Sequence, residues 1–387
     1  MTSSFPLDPV ALTEALVAID SRNPSLVAGA PGERACAAFL ATVLEGWGFS
    51  TQLVEVEPTR SNVVARIGPA GVSPLVLNGH LDVVGTDGMT HEPFTPRTRG
   101  GKLYARGATD MKAGIAAMCV AAARAAASGT LRREVLVAAV CDEEFASIGT
   151  KALLADGLSA VGAVITEPTR LAVVPAHKGF AWLEVLVTGR AAHGSRYDVG
   201  IDANRMAARF LTALEAFEQK VLTARTHPLL GRASIHAPMV QGGTGWSTYA
   251  DQSRVQLERR TLPGETPAQV AAEIQSLIDA LTLQDARFSA TCTVGGSQPP
   301  LDLDERHPLV TALRHACRLH GVADEVGGLF CWTDAALFAA AGIPALCFGP
   351  GDIALAHSAT EWVDVAQITQ AAEILESLLL TFPLGTT

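Results

Sequence analysis

The 387-residue chain has no paired-cysteine motif, no long basic run and no glycine-rich phosphate loop. Its seven cysteines are scattered, and most lie in apolar stretches, which is typical of buried free thiols in a reducing cytoplasm. No run of Lys or Arg exceeds two residues and the formal net charge is −10, which argues against nucleic acid as the main partner. No Gly-x-Gly-x-x-Gly follows a predicted strand and no Gly-x₄-Gly-Lys-Ser/Thr occurs, which argues against a nucleotide-binding enzyme.

Signals for export and for membrane insertion are also missing. Residues Met1–Phe5 show neither the basic segment of a signal peptide nor the start of its apolar segment. The longest apolar stretch, residues 115–127, is rich in Ala and is interrupted by Arg124, so it predicts a buried helix instead of a membrane span. We therefore expect a cytoplasmic protein that has no membrane partner.

What the sequence does have is an alternation of apolar strands and helices. The run 135–140 predicts a buried strand and the stretch 112–127 predicts a helix, and this order repeats, which favours an α/β fold with a mainly parallel sheet. The segments 182–187 and 254–258 instead alternate apolar with polar residues around a long helical stretch, which predicts a small inserted α+β unit. The predicted domains are 1–177 and 295–387 for the larger domain, and 178–294 for the insertion.

Three adjacent acids, Asp142-Glu143-Glu144, directly follow the predicted strand 135–140. Taken alone, this run is most simply interpreted as a solvated turn. The alternative is a cation site, because three neighbouring carboxylates repel one another and a divalent ion offsets that repulsion. His and acidic partners at other strand ends would decide between the two.

Such partners occur. His80 and Asp82 form His-x-Asp at a predicted strand end, Asp110 precedes a helix, and Glu167 and His357 follow two further strands. Each has an ordinary explanation by itself: a loop hydrogen bond, a helix N-cap, a turn acid or a surface histidine. Together they lie at element ends that an open α/β sheet gathers at one edge.

Two histidines and three carboxylates suit two borderline divalent ions, with Asp110 shared between them. Asp82 could then hold the second ring nitrogen of His80. Glu143, next to the ligand Glu144 but not needed as a ligand, would be available as a general base.

The motifs Gly-His-x-Asp-Val-Val, Gly-Lys-Leu-Tyr-x-Arg-Gly-x-x-Asp-Met-Lys, Asp-Glu-Glu, Glu-Pro-Thr and Ala-His occur here in that order. This set resembles the co-catalytic zinc aminoacylase/carboxypeptidase family, peptidase family M20, over nearly the whole chain. The family includes acetylornithine deacetylases, succinyl-diaminopimelate desuccinylases, aminoacylases and glutamate carboxypeptidases. The resemblance implies a zinc-peptidase-like catalytic domain and an inserted, ferredoxin-like lid and dimerisation domain.

The resemblance also implies roles for single residues. One metal ion would be held by His80, Asp110 and Glu167, and the other by Asp110, Glu144 and His357. The ions would be zinc, with cobalt or manganese as substitutes. Asp82 would orient His80, and Glu143 would deprotonate the water that bridges the two ions.

In the inserted domain, Ala192-His193-Gly194-Ser195 resembles the family motif whose histidine is donated across a homodimer to the oxyanion. Arg260 matches the arginine that binds the substrate carboxylate, a role suited to a bidentate fork. Near the second histidine ligand, Gly349 would offer a backbone donor to the substrate.

The chain departs from the family pattern at four places. Gly85, Tyr197 and Glu258 stand where relatives often have Pro, Pro and Asp. Ser247 stands where many relatives have an Asn that contacts the oxyanion or the substrate amide. No metal ligand and no general base is affected, but the departure at Ser247 bears on the choice of substrate.

The expected activity is metal-assisted hydrolysis of an N-acyl amino acid, with an acetylornithine deacetylase-like enzyme as the leading interpretation. Met111 after Asp110 favours the deacylase members, since peptidase members often carry a second Asp there. A dipeptidase or glutamate-type carboxypeptidase of the same family is the alternative. A catalytically silent metal-binding protein on the same fold is a further one, which would predict loss of Glu143 or of a ligand.

Overall fold

The computed structural model describes residues 5–383, so residues 1–4 of the N-terminal segment considered above lie outside it. Within the described residues, the α-helices in chain order are α1 (Pro9–Val17), α2 (Arg34–Gly46), α3 (Ala113–Ala127), α4 (Ile148–Ala155), α5 (Ala203–Lys220), α6 (Pro267–Gln284), α7 (Pro308–Leu319), α8 (Ala335–Ala340) and α9 (Val365–Thr381). Short helices of other types cover Ala108–Lys112, Leu222–Ala224 and Ile353–Leu355.

The strands are, in the same order, β1 (Ser50–Glu57), β2 (Arg60–Ile67), β3 (Leu75–His80), β4 (Arg97–Arg99), β5 (Lys102–Tyr104), β6 (Val135–Val140), β7 (Gly162–Ile165), β8 (Val173–His177), β9 (Gly179–Thr188), β10 (Thr226–His227), β11 (Gly231–Arg232), β12 (Ser234–Gly242), β13 (Gln252–Thr261), β14 (Ser289–Gln298), β15 (Leu301–Asp302), β16 (Val326–Leu329), β17 (Ala345–Cys347) and β18 (Trp362–Asp364).

The chain divides into two compact units. Of the described residues, 5–175, 303–327 and 333–383 form the first unit, and Ala176–Asp302 with Gly328–Trp332 form the second. The predicted insertion 178–294 lies inside the second unit.

The first unit is built on a mixed sheet with the strand order β1-β2-β6-β3-β7-β17-β8. Its centre, β6-β3-β7-β17, is parallel, and the outer pairings are antiparallel. Every residue of β3 and β6 is buried, because both are central strands covered on both faces, and their residues are accordingly mostly apolar. The predicted α/β class with a mainly parallel central sheet is therefore confirmed.

Helices α2, α3, α7 and α9 supply most of the apolar core of this unit. One close approach in it positions the site. A Cβ added to Gly114, near the start of α3, would lie 2.0 Å from the carbonyl oxygen of Thr166. Glycine at this position therefore allows the first turn of α3 to pack against the end of β7.

The second unit contains the antiparallel sheet β12-β13-β9-β14, with α5 and α6 packed on one face. Strand β9 alternates buried and more exposed residues, as a sheet with one covered face requires. Helix α6 begins with a capping box between Thr266 and Gln269. Over residues 5–383, no helix combines the length and the apolar character needed to cross a membrane.

Candidate metal centre

Four of the predicted site residues lie at the carboxyl ends of parallel strands in the first unit. His80 is the last residue of β3, Glu143 and Glu144 follow β6, and Glu167 follows β7. In parallel strands these ends share one edge of the sheet, which is where open α/β sheets place their sites.

The first group of potential ligands contains His80, Asp110 and Glu167. Nε2 of His80 lies 3.1 Å from Oδ1 of Asp110 and 3.9 Å from Oε1 of Glu167. All three residues are buried, and one ligand atom of each lies within 4.8 Å of the others.

The second group contains Asp110, Glu144 and His357. Nε2 of His357 lies 3.3 Å from Oδ2 of Asp110 and 3.0 Å from Oε2 of Glu144. Asp110 thus faces His80 with one carboxylate oxygen and His357 with the other, so it belongs to both groups. A carboxylate with this arrangement can bridge two cations.

The protonation behaviour of these groups fits a cation site. Burial, together with the charge of Asp110, raises the pKa of Glu144 to about 7 and raises the pKa of Glu167 well above its ordinary value. Hydrogen bonds to Asp110 and Glu144 raise the pKa of His357 to about 10. Protons on the histidines therefore offset the clustered carboxylates here, which is a role that divalent ions can take over.

The same opposition acts on His80 and Asp110. Burial lowers the pKa of His80, but the hydrogen bond to Asp110 and the nearby carboxylates outweigh it, so the pKa lies well above its ordinary value. Burial alone would raise the pKa of Asp110, yet hydrogen bonds from His357 and His80 keep it below its ordinary range. The donors are imidazole nitrogens and carboxylate oxygens, the set that zinc, cobalt and manganese accept.

Glu143 belongs to neither ligand group. Its Oε2 lies 4.0 Å from Nε2 of His80, so its carboxyl borders the first group. Burial, and then the charge of Glu167, raise the pKa of Glu143 well above its ordinary value. The residue is thus close enough to exchange a proton with a molecule bound at the centre.

Asp82 holds the turn that carries both glutamates. Its Oδ1 accepts a hydrogen bond from the backbone N–H of Glu143 at 3.1 Å, and its Oδ2 accepts one from that of Glu144 at 3.2 Å. Nδ1 of His80 lies 3.0 Å from the backbone carbonyl of Asp82 and 3.6 Å from its carboxylate. The closer partner of the ring is therefore the main chain, and the carboxylate acts mainly on the neighbouring turn.

Asp142 is buried and does not form a solvated turn. Its Oδ1 lies 2.7 Å from Nη1 of Arg60. The other terminal nitrogen of Arg60, Nη2, lies 2.5 Å from Oε1 of Glu33. Nδ2 of Asn23 donates to Asp142 at 3.0 Å and to Asp82 at 2.8 Å. No local pattern in the sequence indicates these contacts, because Asn23, Glu33 and Arg60 are distant from Asp142 in the chain.

Glu361 is a further residue that the sequence analysis did not predict. Its fully buried carboxylate accepts hydrogen bonds from the backbone N–H groups of Gly107, Thr109 and Asp110, and from Arg106 at 2.5 Å. It therefore fixes the turn that presents Asp110. The only sequence signal was an acid directly before the apolar segment of β18.

Gly349 is tightly packed in the structure. A substituent on its Cα would lie 2.5 Å from the carbonyl oxygen of Thr166, so the glycine packs against the segment that carries Glu167. Its backbone N–H donates to Oγ1 of Thr169 at 3.1 Å. The expected backbone donor to substrate is thus already engaged, and the glycine has a packing role.

The remaining predicted residues lie in the second unit. His193 is exposed, and its Nδ1 lies 2.9 Å from Oγ of Ser195. The backbone N–H of Gly194 donates to the carbonyl of Ser247 at 2.7 Å, so the segments of His193 and Ser247 lie side by side. Arg260 lies on β13, near the end of the strand, and its Nη2 is 2.8 Å from Oε1 of Glu258.

Comparison with known proteins identifies relatives along most of the chain. It is 30% identical over 348 residues to an acetylornithine deacetylase of Myxococcus xanthus, covering 88% of this chain and 90% of that protein. It is 31% identical over 382 residues to a putative succinyl-diaminopimelate desuccinylase of Mycobacterium tuberculosis, covering 96% and 98% of the two chains.

Solved structures share the fold. An aminopeptidase of Bacillus cereus superposes with a TM-score of 0.79 at 18% identity, covering 96% of this chain and 97% of that chain. A protein of Bacillus subtilis described as a dinuclear metal-binding peptidase of family M20 gives a TM-score of 0.74 at 16% identity, covering 96% of each chain. The sequence profile described as Peptidase family M20/M25/M40 matches residues 76–381, so the chain belongs to this family of amide-hydrolysing enzymes.

Proposed function

We propose that this amide hydrolase removes the acyl group from an N-acyl amino acid. The observation that carries the proposal is the pair of ligand groups sharing Asp110, with the carboxyl of Glu143 beside them and outside both. The relatives named as a deacetylase and a desuccinylase, which align over about nine tenths of this chain or more, support an acyl group on an amino acid as the substrate class.

Two divalent ions fit the donor set, and we propose zinc, with cobalt or manganese able to replace it. His80, Asp110 and Glu167 would hold one ion, and Asp110, Glu144 and His357 the other. When bound, such ions polarise an amide carbonyl and lower the pKa of water.

Glu143 is the proposed proton carrier. Its backbone is held by Asp82, which places its carboxyl at the border of the first ligand group. It would accept a proton from the attacking water and deliver it to the leaving amine, as a general base and then a general acid. A carboxyl that also served as a metal ligand could not do this as readily, because the ion would compete for the proton site.

The second unit would contribute substrate recognition. In a homodimer, His193 would donate a hydrogen bond to the oxyanion that forms on the substrate in the active site of the partner subunit. Its exposure and its motif support this role. Ser247, next to His193, would contact the substrate amide where many relatives use Asn. Arg260 would bind the α-carboxylate, since its guanidinium has further donors besides the one facing Glu258.

The test is a substrate panel on metal-stripped enzyme to which zinc, cobalt or manganese is restored. N-acetyl and N-succinyl amino acids and unblocked dipeptides are compared by kcat/KM. We expect hydrolysis of the N-acyl amino acids that depends on the added metal. Hydrolysis of dipeptides alone would replace the deacylase proposal with a dipeptidase, and no hydrolysis under any metal would refute both. The cytoplasmic location proposed for the enzyme is checked separately, by fractionation.

A further inference from the structure

The outward face of the second unit's sheet carries a groove of about 660 Å³. The opposite face of this sheet packs against α5 and α6. The groove crosses β9, β12, β13 and β14, and its lining includes Trp182, Glu184, His236, Met239, Gln256 and Glu258. Two of these side chains are large, apolar and about half exposed: Trp182 at 47% and Met239 at 49%.

The strand register ties this groove to Arg260. Glu258 pairs with Trp182 on one side and with His236 on the other, and Arg260 pairs with Phe180. These two rows are two residues apart, so they share a face of the sheet and are separated by about 7 Å. Side-chain contacts join them, since Glu258 binds Arg260 at 2.8 Å.

Two aromatic rings, Phe180 in one row and Trp182 in the other, connect the two rows. The rings of Phe180 and Trp182 lie 4.9 Å apart, and the guanidinium of Arg260 lies 5.8 Å from the centre of the Phe180 ring. Trp182 lies next to a bulge in β14, where a Cβ on Gly296 would approach its indole to 3.2 Å. The absence of a side chain at Gly296 leaves room for the indole.

The charges in the groove are already compensated. Glu258 is paired with Arg260, and Glu184 lies 3.4 Å from Arg254. A cationic substrate group would therefore find both of these carboxylates already paired. A neutral, apolar group would lose water against Trp182 and Met239, which favours its binding.

We propose that Trp182 and Met239 select substrates whose α-side chain is large and uncharged, aromatic or long aliphatic. The inference rests on the proposed function, in which Arg260 holds the α-carboxylate. Of the substituents on the substrate's α-carbon, the side chain is then the one that can extend along the sheet from Arg260 into the groove. A distance of about 7 Å along the strand matches the reach of such a side chain.

The experiment measures kcat/KM of the full-length, zinc-loaded enzyme with the N-acetyl derivatives of glycine, phenylalanine and ornithine. The wild type is expected to prefer N-acetylphenylalanine. Trp182→Ala is expected to reduce kcat/KM for that substrate about 10- to 100-fold, and to change that for N-acetylglycine less than about threefold. Trp182→Phe should recover most of the loss, and Leu283→Ala, which truncates an exposed residue of α6, should change neither value.

A wild-type preference for N-acetylornithine or N-acetylglycine would overturn the groove assignment while leaving the deacylase proposal standing. An unchanged preference for N-acetylphenylalanine in Trp182→Ala would overturn it as well. Calorimetric binding to the Glu143→Gln enzyme separates the two proposals further. Binding of N-acetylphenylalanine that weakens in the Trp182→Ala background, without turnover in the wild type, would support the groove and refute the deacylase function.

Discussion

Replacing Glu143 by Gln tests the division of roles at the metal centre most directly. The amide keeps the shape of the side chain but cannot accept the proton of the attacking water. General base catalysis contributes about 10²–10⁴ in rate, which corresponds to roughly 3–5 kcal/mol of barrier. We therefore expect kcat to fall by about that factor.

The same substitution should leave the metals and the fold in place. Glu143 belongs to neither ligand group, and the hydrogen bond that holds its turn goes through its backbone N–H to Asp82. Burial and the charge of Glu167 raise the pKa of Glu143, so a neutral amide there removes a repulsion and the melting temperature should not fall.

The assay measures turnover of an N-acyl amino acid and metal content by mass spectrometry on the same samples. Glu144→Gln is the matched control, because it removes a member of the second ligand group from the neighbouring position. It should lower metal content, whereas Glu143→Gln should keep two ions per chain. Turnover above about a tenth of wild type in Glu143→Gln would refute the base assignment. Metal loss in Glu143→Gln but not in Glu144→Gln would show that the two roles are exchanged.

Three further outcomes are expected. Glu361→Gln should weaken metal affinity about 10- to 100-fold, measured by competition with a chelator, because the amide cannot accept all the backbone bonds that fix Asp110. Stripping the metals should lower stability by about 2.7 kcal/mol for each ion removed, relative to enzyme at a free metal concentration of 100 Kd, measured by urea unfolding. Gly114→Ala should destabilise by about 1–3 kcal/mol because its Cβ meets the carbonyl of Thr166, whereas Gly46→Ala in α2, with open space around it, should be neutral or stabilising. Equal effects of the two glycine substitutions would contradict the close approach.

Much of the fold was predictable because its signals are local. The apolar run at 135–140 is the buried strand β6, and the Ala-rich stretch is α3, whose observed range, Ala113–Ala127, matches the prediction within one residue. Alternation at 182–187 and 254–258 identified β9 and β13. The prediction omitted α6, although the capping box at its start was visible in the sequence.

The residues of the candidate site fall into two groups, one predictable from the sequence and one not. The residues of the two candidate ligand groups were predictable because His and acids follow apolar strands in an order that resembles one family, and that family is confirmed. The groups that hold those residues could not be found in this way. Glu361 binds backbone groups 251 to 254 positions earlier in the chain, and Asn23 reaches Asp142 across 119 positions. No local pattern encodes such contacts, since they exist only after the sheet has formed.

The acidic run 142–144 shows why these distant contacts matter for chemistry. By composition the three side chains are nearly equivalent, and their mutual repulsion would make any two of them poor neighbours in a buried turn. The fold gives the three side chains different surroundings. Asp142 is paired with Arg60 and Glu144 with His357, whereas Glu143 belongs to neither ligand group. Asp82 fixes this arrangement by binding the backbone of both glutamates. It follows that a change at Asp82 should disturb the proposed base and the proposed ligand together, whereas a change at either glutamate should disturb only one.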